Sequence, residues 1–155
     1  MSSLILSLLL VAAAAAKPEP TAEQQAVYKA LSGRHESLSC TELDAMSSDP
    51  LGTYLYLIEH ATQPAWVGMR AARCVMLNHA EAARPQLERW VVEPELRGLG
   101  LLLVGQIDEL PLPLAKELAV KAMYEGPDPD GMRKRIARAR TPEIAALAAP
   151  AATTP

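Results

Sequence analysis

The sequence predicts an all-α protein: a short α-solenoid of about three antiparallel helix pairs plus an N-terminal helical cap. Three observations carry this. Half of the 155 residues are apolar, yet there is no Phe and the aromatic content is 4%. The core therefore falls to Leu, Ala, Val, Ile and Met, a set that favours helix. Few segments show the β-branched alternation of a half-buried strand. From Asp49 onward, short apolar segments each open on a proline, where a missing N–H costs nothing.

The first segment stands apart from that domain. "MSSLILSLLLVAAAAAKPEP" runs from an apolar stretch, Leu4 to Val11, into five alanines and then a charged, proline-broken segment. This is the pattern of a secretory signal peptide, with small residues at Ala14 and Ala16 placing cleavage before Lys17. The run is short for a permanent transmembrane helix. Residues 1–16 are read as the signal, 17–48 as a linker and helical cap, 49–149 as helical repeats, and 150–155 ("PAATTP") as a disordered tail. The expected destination is the periplasm or the cell exterior.

In the cap, Thr21 and Gln24 have the spacing of a capping box at the head of "AEQQAVYKAL", which stops near Gly33. A second short helix is expected around "CTELDAM". Asp49–Pro50, Pro64, Pro85, Pro94, Pro111 or Pro113, Asp128–Pro129 and Thr141–Pro142 then open seven segments in turn. Each is too short to be stable alone and must pack on its neighbours. Six of them pair: 50–62 with 64–78, 84–92 with 94–107, and 111–125 with 129–140. Each second member carries an early apolar–Arg step, at 69–70, 96–97 and 132–133. Stacked helix pairs are the signature of a solenoid.

On the proline-opened first helices and the second helices "VGMRAARCVML", "ELRGLGLLLV" and "GMRKRIARA", the chain resembles the HEAT-repeat proteins, with about three repeats over Asp49 to Arg140. The resemblance implies a curved right-handed stack used mostly to hold protein partners, and it does not imply a catalytic site. The repeat spacing is irregular, and the third second helix is unusually basic.

Cys40 and Cys74 are the only cysteines. In an exported small domain an even pair suggests a disulfide. It would close a loop of about 35 residues, valued at roughly 3 to 4 kcal/mol by the chain-entropy account. No CxxC supports a redox role.

Each candidate for chemistry has a plainer reading. His60 and His79, with Glu59 and Glu81, could approach as a metal site, but no metal-binding spacing supports it, and structural or surface roles are favoured; His35 lies apart. "GPDPDG", Gly126 to Gly131, resembles the start of a calcium loop but lacks the later ligands, so a helix-capping turn is expected. "GLGLLLVG" lacks the dinucleotide spacing; its Gly98, Gly100 and Gly105 are expected to let helices approach closely. "RKRIARAR" is an amphipathic basic helix, read first as a solvated face and second as a dock for an acidic partner, with membrane contact the weaker reading. Trp66 and Trp90 are expected as core anchors. No serine or cysteine has an identifiable base.

A net charge of −3 gives no steering toward nucleic acid. The expected function is an exported, non-catalytic scaffold for a protein partner or envelope component. No cofactor, metal or nucleic acid is expected. The partner face is assigned to Arg70, Arg73, Arg97 and Arg133. The rival is a small-ligand or lyase-like protein built on Tyr54, Tyr56, Glu59 and His60, although Tyr54 and Tyr56 should point to different sides of their helix. A purely structural envelope protein is the blander alternative.

Overall fold

The computed structural model describes residues 18–33 and 38–149. The expected signal peptide, His35 and the C-terminal tail lie outside these residues. Among them the chain is all-α, with no strand, and helix pairs pack against each other.

The helices are α1 (Ala22–Ser32), α2 (Cys40–Asp44), α3 (Pro50–His60), α4 (Trp66–Asn78), α5 (Arg84–Val92), α6 (Arg97–Gly105), α7 (Leu112–Glu125), α8 (Pro129–Ile136) and α9 (Pro142–Ala145). The three expected pairs form: α3 on α4, α5 on α6, and α7 on α8. Between pairs, α5 packs on α7, and α6 lies between α4 and α8. At the N-terminal end α1 rests on both α3 and α4. At the other end α9 rests on α7.

The polar ends of the helices follow the chemistry of their first residues. Thr21 and Gln24 form a reciprocal capping box, with bonds of 2.9 and 3.1 Å. Ser39 and Glu42 form a second one at α2, which the sequence reading missed. Asp49 and Asp128 each accept the N–H three residues on, from Gly52 and Gly131, both at 3.0 Å. The turn at Gly126 to Gly131 is thus a cap. Thr141, expected as a cap, makes no side-chain cap bond. Its backbone N–H instead donates to Asp108 at 2.8 Å, beside that of Arg140 at 2.9 Å. The basic helix is shorter than expected: α8 stops at Ile136, not at Arg140, and the catch lies beyond its end.

The core is built from small and branched side chains in contact. Ala71, Ala72, Ala115, Ala119 and Ala122 let helices close up, and Leu87, Leu103, Leu114, Leu118, Met76 and Met132 fill between them. Trp90 is buried in this core, whereas Trp66 is only partly buried. Gly100 marks the closest approach: a Cβ there would run into the Trp90 carbonyl oxygen and lie 3.4 Å from the Val91 Cα. Gly98 and Gly105, expected to serve the same purpose, face open space.

Candidate functional site

Two clefts lie at the N-terminal end of the molecule, one of them beside the disulfide-linked joint of α2, α3 and α4.

The joint begins with Cys40, at the start of α2, bonded to Cys74 in the middle of α4, with Cα atoms 5.2 Å apart. A helix as short as α2 cannot hold itself. The disulfide fixes one end, and Asp44 fixes the other. Its carboxylate accepts from the Tyr54 hydroxyl at 2.7 Å and from the Asn78 amide at 2.8 Å, and lies 3.1 Å from His79 Nε2. Partial burial alone would raise the Asp44 carboxyl. The bonds from Tyr54, Asn78 and His79 outweigh it and hold the group below its ordinary range. Burial, with the carboxylate alongside, pushes the Tyr54 phenol up, so it stays a donor. This hub went unread in the sequence because its members are ten to 35 residues apart.

The first cleft, about 500 Å³, opens beside the disulfide. Leu31, Leu43 and Cys74 line its inner side, and Leu38 and Leu77, both 42% exposed, form its rim. Arg70 and Arg73 stand in it. They are not equivalent. Arg70 Nη1 donates to the carbonyls of Leu31 at 2.8 Å and Gly33 at 2.6 Å, closing the open C-terminal end of α1. Arg73 is more exposed and reaches Glu109 at 3.3 Å. Met69, Arg73 and Leu77 share one helical face of α4, and both apolar members are exposed.

The other two arginines assigned to the partner face do not line this cleft. Arg97 pairs with Asp128 at 3.1 Å, and the Arg133 guanidinium stands 5.8 Å from the centre of the Tyr124 ring.

The second cleft, about 760 Å³, lies between α1 and the C-terminal half of α3. Tyr28 donates to the Gln63 carbonyl at 2.6 Å, which holds the Ala61–Gln63 loop against α1. Tyr56 donates to the Pro18 carbonyl at 2.8 Å, and Gln25 to that of Pro20 at 3.3 Å. The segment preceding α1 is thereby laid along the cleft as a wall. The Tyr56 and His60 rings meet at 4.6 Å. As expected, Tyr54 faces the other side of the helix, into the hub. Sequence spacing pairs Tyr56 with His60, but nothing local announces Tyr28 or the proline wall.

His60 and His79 are thus separated in role, one in this cleft and one on Asp44. Among the described residues, no group of three or more His, Cys, Asp or Glu is arranged to hold a metal ion. No helix among them is long and apolar enough to cross a membrane. The disulfide fits an oxidising compartment. Set against protein-family models, curated proteins and solved structures, the chain finds no match in any of the three.

Proposed function

We propose that this chain is an exported, HEAT-repeat-like scaffold that holds a protein partner and performs no chemistry of its own. The observation that carries the reading is the cleft beside the disulfide. Its rim presents Leu38 and Leu77 to solvent, with Arg73, whose guanidinium reaches Glu109, one turn from Leu77 and exposed Met69 one turn further along the same face of α4. Exposed apolar side chains around a cationic group match a segment that brings its own apolar residue and a carboxylate. The floor is pre-formed, because the disulfide and Arg70 hold α1, α2 and α4 together without a ligand. A rigid floor keeps the ordering cost of binding low. The pairwise packing of α3 to α8 supports the repeat reading, since each pair offers its neighbour a fresh face.

The test is native mass spectrometry on protein purified gently from its own host. Wild type should carry a second chain. Leu77→Glu should lose it, with a change in Tm of no more than a few degrees because the side chain is already 42% exposed. Val120→Glu, an exposed apolar position on α7, should keep it. Equal retention by both variants would place the partner elsewhere. An added small mass in place of a chain would favour the small-ligand reading.

A further inference from the structure

We infer that the cleft between α1 and α3 is a second binding site, separate from the partner cleft, and that it takes a proline-rich extended peptide. Proline-rich segments adopt polyproline II helix, and their receptors are aromatic shelves with hydroxyl or amide donors aimed at the peptide's carbonyls. The chain already makes these contacts with itself. Pro18-Glu19-Pro20 lies along the cleft, with Tyr56 donating to the carbonyl of Pro18 and Gln25 to that of Pro20. The segment is only one wall. About 760 Å³ stays open beside it, over Tyr28, Tyr56, Leu57 and His60.

The wall also restricts what can enter. Pro18 and Pro20 have no N–H, and their carbonyls are engaged by Tyr56 and Gln25. An incoming chain is offered at most the backbone groups of Glu19, too few for a β ladder along such an edge. It must instead bind through ring faces and side chains, as a proline helix does. The tilted Tyr56–His60 pair supplies the faces, and the Tyr28 bond to Gln63 holds the far side of the cleft in place. A proline helix is extended before it binds, so little ordering cost is added.

The test is titration of the intact protein with a blocked octaproline peptide, followed by amide shifts in ¹H–¹⁵N spectra. Saturable shifts should appear on α1, α3 and the 61–63 loop. A blocked Gly-Ser octapeptide should bind at least tenfold more weakly, because it lacks the preformed helix and rings. His60→Ala should weaken octaproline binding about fivefold by removing half of the ring pair, and Tyr124→Ala, remote and 70% exposed, should leave it unchanged. Should His60→Ala lower the Tm, Lys29→Ala on the cleft rim should leave the fold intact and still weaken binding by about twofold. The inference is overturned if octaproline gives no saturable shifts up to millimolar concentration. Equal binding of the Gly-Ser peptide overturns it as well, as do shifts that centre on the disulfide cleft.

Discussion

At the scale of single residues, the most consequential side chain is Asp44. One carboxylate gathers Tyr54 of α3 with Asn78 and His79 at the end of α4. Bonds to a charged acceptor are stronger than neutral ones, at about 1.5 to 3 kcal/mol each. Because the folded carboxyl sits below its ordinary value, its contribution is fully present above the unfolded pKa of about 4. It is lost as pH falls through the folded value. Unfolding in urea followed between pH 7 and pH 2.5 should therefore show stability falling below about pH 4. Asp44→Asn should cost about 1 to 2 kcal/mol at pH 7 and flatten part of that acid slope. A variant as steep as wild type would mean that Asp44 contributes little to the titration.

At the scale of elements, close packing and helix propensity separate cleanly in α6. Gly100 meets the Trp90 carbonyl of α5, so adding a methyl group there forces backbone apart and should cost about 1 to 3 kcal/mol. Gly98 lies in the same helix with open space around it. Gly98→Ala should stabilise by about 0.5 to 1 kcal/mol, chiefly by restricting the unfolded chain. Chemical denaturation of the two variants should move in opposite directions. The same pair shows what could be read from sequence. Prolines at 50, 85, 113, 129 and 142 located helix starts because the cause is local: proline suits the first turn. The glycines could not be sorted, because which one meets a neighbour depends on how α6 is rotated against α5. The cysteine pairing was legible because only one pairing exists. Arg70 was legible as a cation on one strip of α4, but its closure of α1 was not, since Leu31 and Gly33 lie 39 and 37 residues away. Tyr28 and the proline wall were hidden for the same reason, and so was Asp44.

At the scale of the whole molecule, contacts run mostly between neighbours: α1 and α2 close one end, three pairs follow, and α9 closes the other. In such an arrangement a loss at one end need not reach the other. Asp108 makes this testable. It follows α6, and its carboxylate holds the backbone N–H groups of Arg140 and Thr141 just before α9. Those bonds overcome its partial burial and keep the carboxyl below its usual range. Asp108→Ala removes both acceptors, a loss of about 1.5 to 3 kcal/mol for each bond that water does not replace, and α9 is too short to hold its place without them. Buried Ile144 and Ala148, with partly buried Leu147, then tie the segment to the core. Native-state hydrogen exchange should show faster exchange at Ile144 and Ala145, whose amides bond back to Thr141. Amides in α3 and α4 should keep their wild-type protection. A uniform drop across all helices would instead show one cooperative unit, in which the far end senses the C-terminal catch as strongly as α9 does.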